Sequence, residues 1–150
     1  MNDKTIIDVF VEGAKKGWNM GVNNIIPNVL MAYVCILILQ VTGLLTLLGN
    51  LFTPVMAVFG LPGQSVMVLF SAMMSMGGAV GVAHGLYTNG ILNGTHITIL
   101  IPAIYLLGSK IQYFGRLLGT VGIPAKYYPG LLAISVINAA VAMLLMRLIA

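Results

Sequence analysis

The sequence predicts an all-α integral membrane protein, with an amphipathic N-terminal helix and about five hydrophobic segments, some of them short, broken or re-entrant. Of its 150 residues, 59% are hydrophobic and only 7% are charged, whereas about a quarter of the residues in a soluble domain are charged. No Asp, Glu, Lys or Arg lies between Lys16 and Lys110, a stretch of 93 residues. Such a stretch cannot cover a surface that faces water, and the mean hydropathy of +1.03 agrees with burial in lipid.

The composition argues against several classes of function. The single cysteine, Cys35, excludes an internal disulfide, and no carboxylate after Glu12 is available for paired-carboxylate catalysis or a metal site. The two histidines have no acidic neighbours in sequence, so a catalytic triad is not supported. Seven cations are too few for a nucleic-acid-binding patch. We therefore expect no enzymatic activity, no cofactor, no metal and no nucleic-acid partner.

Residues 3–20 are predicted to form an amphipathic helix, because apolar side chains recur at helical spacing: Ile7, Val11, Ala14 and Trp18. Glu12 and Lys16 are one turn apart and can pair. Such a helix can lie in the headgroup plane with Trp18 as its anchor, or it can be a cytoplasmic helix packed on a partner. The first twenty residues lack the apolar core of a signal peptide, so we expect the full chain to persist.

The first two hydrophobic stretches differ in length. In the first, 24–42, Asn24 can cap a helix and Pro27 is tolerated in the first turn. The second, 44–59, is too short for a straight span, which needs about 20 residues. It also contains residues that break helices: Gly49, Asn50, Thr53 and Pro54. We expect two short helical pieces or a re-entrant hairpin there.

Three further stretches follow the turn Gly60-Leu61-Pro62-Gly63. Residues 64–88 are numerous enough to span the membrane, although glycines interrupt them. Residues 96–108 form a short stretch that contains Pro102, and residues 109–127 are predicted to be a loop. The last stretch, 128–149, is an unbroken span, near whose end Arg147 can extend to the membrane interface.

The cations predict the topology, because basic residues favour the cytoplasmic side. They put the N-terminus and the loop 109–127 on that side: Lys4, Lys15, Lys16, Lys110, Arg116 and Lys126. An even number of crossings must separate the two groups, which is four if 44–59 and 96–108 both cross and two if both are re-entrant. Either way, the C-terminus is expected outside.

An internal repeat is one possible interpretation of the proline positions. Ile26-Pro27 and Ile101-Pro102 lie 75 residues apart, and so do Pro54 and Pro129. Inverted repeats are common in transporters. However, six prolines can share an offset by chance, so the sequence leaves the repeat open.

The sharpest interruption of an apolar stretch is Ser75-Met76-Gly77-Gly78-Ala79-Val80-Gly81. Broken helices survive in lipid only where protein or a wet cavity satisfies their backbone, and transporters aim such breaks at a substrate. Ser75, Gly77, Gly78 and Gly81 are therefore candidate substrate-binding residues. Alternatively, Gly77, Gly81 and Gly85 form a ladder of small residues against which another helix packs closely.

Five further polar residues are candidates for binding the solute. Asn24 and Asn28 offer amides to a polar ligand, although capping explains them equally well. Arg116 can bind an anionic group or simply anchor its loop in the cytoplasm. Gln112 lies one turn before Arg116, and Tyr105 follows Pro102 and can reach the same cavity.

His84 lies late in the interrupted stretch 64–88. A buried histidine could carry a proton in coupled transport, although a packed or interfacial histidine is more usual. The methionines near position 74 have no cysteines or histidines close in sequence, so they indicate flexible packing and not a metal path.

Four segments resemble the small bacterial inner-membrane proteins of the YjiG and spore maturation protein B type, in the nucleoside-recognition or Gate-domain group. They are Asn23-Asn24-Ile25-Ile26-Pro27-Asn28, Gly60-Leu61-Pro62-Gly63, Ser75 to Gly81, and Gly115-Arg116 through Lys126-Tyr127-Tyr128-Pro129. We expect residues 1–22 to be a cytoplasmic or interfacial helix and residues 23–150 a single transmembrane Gate-like domain. The resemblance implies an inner-membrane protein that acts beside a companion of the YjiH or spore maturation protein A type.

These observations favour one subunit of a membrane transporter for a small polar solute, such as a nucleoside, amino acid, dipeptide or organic anion. The chain is short for a complete alternating-access transporter. A second copy or the companion protein would therefore complete the pathway in the lipid bilayer. The alternative is a structural or regulatory membrane subunit without its own pathway, in which the glycines would face another protein helix.

Overall fold

The computed structural model describes residues 5–114, 118 and 121–150, with the backbone alone at positions 24, 28 and 32. In these ranges the chain is helical and contains no strands. Two helical stretches are long and apolar enough to cross a membrane, Gly94–Tyr113 and Ala125–Ile149. A bent pair, Val29–Val41 with Leu44–Ala57, raises the number to three if it counts as one span. The all-helical membrane class is confirmed, and the number of five hydrophobic segments stays a prediction.

The N-terminal helix α1 spans Ile6–Met20 and continues through a π-helical segment, Gly21–Ile25, into α2, Ile26–Val41. Thr5 caps α1, and Glu12 pairs with Lys16 at 2.9 Å as expected. Asn24 is not the N-cap of α2, because the chain enters that helix without a break and Ile25 holds the cap position without a side-chain hydrogen bond. The expected boundary near residue 23 is therefore a change of helical pitch.

Helix α3, Leu44–Ala57, is a single helix with Pro54 inside it, so the expectation of two pieces or a hairpin at 44–59 is wrong. It meets α2 at 90°. Gly43 makes this corner with a φ of +74°, a conformation that glycine adopts without strain. At the other end of α3, the Val58 carbonyl accepts a hydrogen bond from Arg147 Nη1, so that guanidinium binds protein backbone.

A very close backbone contact joins α3 to the 3₁₀ turn Gly63–Ser65 that follows it. A Cβ added at Gly63 would overlap the Gly49 carbonyl oxygen and lie 2.7 Å from Thr53 Oγ1. A Cβ at Gly49 would lie 2.8 Å from the Gln64 side chain. Both glycines are buried, and the absence of their side chains allows this approach.

Residues 64–88 form two helices that fold back on each other, which corrects the expectation of one interrupted span. They are α4, Val66–Met74, and α5, Met76–Thr88. A Cβ on Gly78 would lie 3.1 Å from Ser71 Oγ, whereas seven residues of straight helix separate two positions by about 10 Å. The chain therefore reverses at Ser75. We call α4, Ser75 and α5 the helical hairpin.

Helix α6 spans Gly94–Leu107 and is followed by the short helix α7, Lys110–Tyr113. It begins earlier than the expected residue 96, because Asn93 caps it: Asn93 Oδ1 accepts a hydrogen bond from the His96 backbone at 2.9 Å. The helical stretch also extends beyond residue 108 into the predicted loop, which is how it reaches the length of a span. The C-terminal helix α8, Tyr128–Ile149, has the predicted bounds.

The core of the fold lies where the helical hairpin packs against α6, and α8 covers the other side of α6. The least exposed side chains in the hairpin and α6 are Val68, Ala72, Ala79, Leu86, Leu100 and Ala103, all at 0% exposure. Four of these six side chains are alanine or valine, and small residues let helices approach closely in a membrane. The hairpin is therefore held inside the protein and is not a surface loop.

Two corners of the chain share the same local structure and lie 62 residues apart. Gly60-Leu61-Pro62-Gly63 corresponds to Gly122-Ile123-Pro124-Ala125. Gly60 has φ +71° and Gly122 has φ +75°. The Leu61 and Ile123 amides both donate to a carbonyl five residues back, at 3.1 Å in each case. Each corner then leads through a 3₁₀ turn into a helix, α4 in the first copy and α8 in the second.

The prolines with a 75-residue offset do not occupy equivalent places. Pro27 and Pro129 lie in the first turn of their helices, whereas Pro54 and Pro102 lie inside theirs. The partners at this offset therefore differ in structural role. The element that occurs twice in the structure is instead the glycine–proline corner.

Candidate functional site

The turn of the helical hairpin is a single extended residue, Ser75, with φ −156° and ψ 127°. Its amide donates to the Ser71 carbonyl at 2.7 Å, which closes the end of α4. Its hydroxyl accepts from the Gly78 amide at 3.3 Å, which caps the start of α5. Ser75 thus ends one helix and begins the next, as a serine N-cap can.

The break between α6 and α7 lies directly against this turn. Ser109, at the break, has φ +56° and is the only described residue other than glycine with a positive φ. Its amide donates to the Ala72 carbonyl at 2.7 Å, and its hydroxyl accepts from the Met76 amide at 3.4 Å. Gln112 Nε2 donates to the Met74 carbonyl at 3.0 Å. Each interruption therefore supplies hydrogen-bond partners for backbone groups of the other.

A cavity of about 300 Å³ lies between the hairpin and α2. Its described lining includes Ser71, Ser75 and Gly78 from the hairpin, together with Cys35 on α2 and Phe70 on α4. We call it the hairpin cavity. Ser71 and Ser75 contribute hydroxyl groups to this lining, but its surface is almost entirely apolar. Such a lining is typical of a small-molecule site.

The structure brings together only some of the predicted site residues. Ser75 and Gly78 line the hairpin cavity, and Gln112 supports its turn. Gly81 is buried within α5 and Gly77 is half-buried. Tyr105 is 74% exposed on α6 and is not among the described residues that line this cavity, so its role in solute binding stays a prediction. The Asn24 and Asn28 side chains and Arg116 lie outside the described residues.

His84 lies on α5, where it contacts Tyr33 of α2. The Tyr33 hydroxyl and His84 Nδ1 form a hydrogen bond, and the two ring centroids are 5.7 Å apart. His84 also lines a second cavity of about 440 Å³ between α5 and α6, with Tyr87 and mainly apolar neighbours. His84 is therefore exposed and hydrogen-bonded, and its role in proton coupling stays a prediction.

One glycine of the predicted ladder, Gly85, packs against residues that the structure describes. A Cβ at Gly85 would lie 3.6 Å from the Tyr33 ring and 3.8 Å from Ile36. This face of α5 therefore packs on α2 of the same chain. Gly78, in contrast, faces the serines of α4 and the cavity.

Sequence reasoning missed Ser71 and Ser109. Ser71 lies one helical turn before Ser75, so the spacing of the two serines is a signal that could have identified it. Ser109 follows Gly108 at the end of an apolar stretch, where the sequence predicts only the start of a loop. Its contact with the hairpin is a tertiary contact, which the local sequence pattern does not predict.

A helical hairpin that meets an interrupted helix inside an apolar bundle is an arrangement that membrane transporters use. Within the described residues, no group of histidines, cysteines or carboxylates could hold a metal ion. The chain belongs to the Gate family, described as nucleoside recognition, whose sequence model matches residues 22–148.

The chain is also similar to proteins from several organisms. The chain is 49% identical to the inner membrane protein YjiG of Escherichia coli strain K12 over 146 residues, which are 97% of this chain and 95% of that protein. It has the same identity and coverage with YjiG of strain O157:H7. It is 27% identical over 128 residues to the uncharacterized protein MJ0880 of Methanocaldococcus jannaschii, covering 77% of this chain and 41% of that protein. No solved structure matches the chain.

Proposed function

We propose that the protein is a subunit of a membrane transporter for a small polar solute and that the hairpin cavity holds this solute. One observation carries the proposal: two helix interruptions, at Ser75 and Ser109, meet inside an apolar helical bundle beside a cavity. Backbone interruptions are costly in lipid unless protein or a polar ligand satisfies them.

The lengths of the hairpin helices support a re-entrant position. With 9 and 13 residues, α4 and α5 are about 14 and 20 Å long, whereas the hydrocarbon core is about 30 Å thick. Neither helix crosses alone, so the Ser75 turn lies at depth in the membrane. A turn at that depth places exposed helix ends near the midplane, where transporters bind their substrates.

Each residue of the site then has a role. Ser71 and Ser75 present hydroxyls that donate to or accept from the solute, and Gly78 leaves room for it. Gln112 and Ser109 hold the turn by its backbone, so they position the site. The Phe70 and Met74 side chains offer apolar surface to the body of the solute.

The proposed topology agrees with the cation positions. The bent α2–α3 pair crosses the membrane once, the re-entrant hairpin does not cross it, and α6–α7 crosses it once. These two crossings put Lys15 and Lys126 on the same side of the membrane. The N-terminus is then cytoplasmic, and α8 carries the C-terminus outside. The bacterial inner membrane is the proposed location, because the YjiG relatives are inner membrane proteins. A companion membrane protein or a second copy completes the pathway.

Uptake by cells that lack the protein and its companion tests this proposal. Restoring both genes should restore import of at least one nucleoside, amino acid, dipeptide or organic anion from a labelled panel. Ser75→Ala should then reduce the uptake rate by roughly tenfold, the scale of 1–2 kcal/mol for a lost cap. Ser135→Ala is the matched control, because Ser135 donates only to the Leu131 carbonyl of the unbroken α8. Unchanged import of every solute would contradict the proposal.

The single cysteine provides a second, direct measurement. Cys35 lines the hairpin cavity and carries a free thiol. A membrane-permeant maleimide should label it, and a transported solute should slow the labelling in proportion to its occupancy. Cys35→Ala gives the background. A transported solute that leaves the labelling rate unchanged would place the solute outside this cavity.

One observation favours a second function, that of a structural or regulatory membrane subunit. The Gly85 face of α5 is filled by Tyr33 and Ile36 of the same chain, as in pure helix packing. If this function holds, filling the cavity with Gly78→Ala should leave assembly with the companion intact and no solute should protect Cys35. The two measurements above therefore separate the two functions.

A further inference from the structure

Helix α8 leaves most of its surface uncovered by the rest of the chain. Only 11% of its most apolar stretch is buried inside the protein. Ala139 and Met143 are its buried residues, and they lie on the face that packs against α6. Lipid covers apolar side chains at no cost, so bare leucines and isoleucines on a membrane helix need no partner.

Asn138 is the exception on this bare surface. It lies near the middle of α8, ten residues after Tyr128 and eleven before Ile149. Its side chain is exposed and makes no hydrogen bond to any residue that the structure describes. A polar side chain at the bilayer midplane is costly unless it faces a polar partner, and asparagines in such places hydrogen-bond across helices.

The residues around Asn138 repeat with the spacing of a coiled coil. Leu131, Asn138 and Leu145 occupy one position of a seven-residue repeat, and Ile134, Val141 and Leu148 occupy the other. Leu131 is half-buried, and the other five are exposed. This line of six residues, which we call the α8 seam, lies roughly on the side of α8 opposite Ala139 and Met143. It is therefore free when α8 packs on α6.

We propose that the α8 seam is a dimer interface that binds the same seam of a second copy of this chain. Copies of one membrane protein insert in the same direction, so their α8 helices run parallel and place both Asn138 side chains at the same depth. A carboxamide carries both donors and an acceptor, so two of them can bond to each other. A single asparagine at this position of the repeat also fixes the register of a parallel pair.

Cysteine cross-linking of the full-length protein in its native membrane tests the interface. In a Cys35→Ala background, Ile134→Cys and Val141→Cys place a thiol on the seam on either side of Asn138. Oxidation should link two copies through either thiol. Ala133→Cys is the matched control, because Ala133 is exposed at the depth of Ile134 but lies about a third of a turn from the seam, whereas Val136 lies on the opposite side, toward α6. Equal linking at all three positions would overturn the proposal.

Asparagine substitutions give the second measurement, the dimer dissociation constant of the purified protein in lipid. Asn138→Val should raise the dimer dissociation constant by roughly 3- to 30-fold, which corresponds to the strength of interhelical hydrogen bonds in membranes. Asn138→Gln keeps a carboxamide and should retain most of the affinity. Val136→Ala should change nothing, and all variants should unfold at similar temperatures. A monomeric wild-type protein, or thiols that link only to the companion protein, would overturn the proposal.

Discussion

The two copies of the glycine–proline corner lead into helices of different length. Both turn through glycine and proline with the same hydrogen bonds, Leu61 to Met56 and Ile123 to Leu118. The first copy then enters α4, which reverses after nine residues, whereas the second enters α8, which continues for 22. A shared corner therefore fixes where a membrane helix starts, and the residues beyond it decide whether the helix crosses.

The difference lies at four equivalent positions. Ser75-Met76-Gly77-Gly78 in the first copy corresponds to Ile137-Asn138-Ala139-Ala140 in the second. Serine caps the second leg of the hairpin, and Gly78 leaves space for the Ser71 hydroxyl. Ile137 cannot cap a helix, and Ala140 carries a side chain where Gly78 has none. Helix α8 therefore continues without a reversal. The reversed copy directs its polar groups inwards, whereas the continuous copy leaves Asn138 on its outer surface.

The largest expected effect comes from the first residue after each proline. Gly63→Ala should destabilise the protein by about 3 kcal/mol or more, because the new Cβ overlaps the backbone oxygen of Gly49, which cannot rotate away. The equivalent residue of the second copy, Ala125, is exposed, so Ala125→Gly should change stability by less than about 0.5 kcal/mol. Thermal unfolding in detergent measures both, and equal midpoints would refute the asymmetry.

Exchanging the residues at the reversal should have the next largest effect. Ser75→Ile removes the acceptor for the Gly78 amide and should cost about 1–2 kcal/mol and abolish uptake. The reciprocal Ile137→Ser should leave α8 continuous, because a serine inside a helix can bond to the carbonyl four residues back. The unfolding midpoint and the uptake rate should therefore respond to the first substitution and barely to the second. A similar response to both would show that position 75 has no special role.

The sequence predicts the parts of this comparison that depend on local patterns. The unbroken C-terminal helix and the interruption at Ser75 follow from apolar spacing and adjacent glycines, and both are present in the structure. The sequence does not show that the interruption reverses the chain, because a long apolar stretch with glycines is equally compatible with a kinked span. In the structure the reversed hairpin is also held by a tertiary contact that the sequence does not show, the hydrogen bond from the Ser109 amide to the Ala72 carbonyl.

Tyr105 and Asn24 illustrate the same limit. Helical spacing places Tyr105 near Pro102 but does not say which face of α6 turns outwards, and the structure exposes it. Asn24 is a good capping residue in isolation, yet the chain stays helical on both sides of it. Local propensity is overridden wherever a neighbouring segment supplies the backbone partners.

A smaller effect is expected from the side chain that holds the turn of the first copy. Gln112→Leu removes the hydrogen bond to the Met74 carbonyl and should cost roughly 0.5–1.5 kcal/mol. It should also lower the uptake rate without changing the residues that line the cavity. Gln40→Leu on α2 is the matched control, since no hydrogen bond of the Gln40 side chain to a described residue is present. If both variants unfold at the same temperature, the hydrogen bond does not stabilise the turn.

The smallest effect on helix stability should come from the N-terminal cap of α1, which lies outside both glycine–proline corners. This exposed cap is the reference with which the cap at Ser75 can be compared. Hydrogen bonds from the Thr5 hydroxyl and backbone hold the pKa of the Asp8 carboxyl below its ordinary value near 3.8. Because the pKa is lowered in the helix, the cap contributes fully above that ordinary value and is lost as the pH falls through the lowered one. Amide exchange in the first turn of α1 should therefore quicken, relative to its intrinsic rate, as the pH falls below 3.8, and Asp8→Asn should remove this pH dependence. Because Asp8 is fully exposed to water whereas Ser75 is half-buried, the change at α1 should stay well below that of Ser75→Ile. A change as large would mean that burial adds nothing to a helix cap.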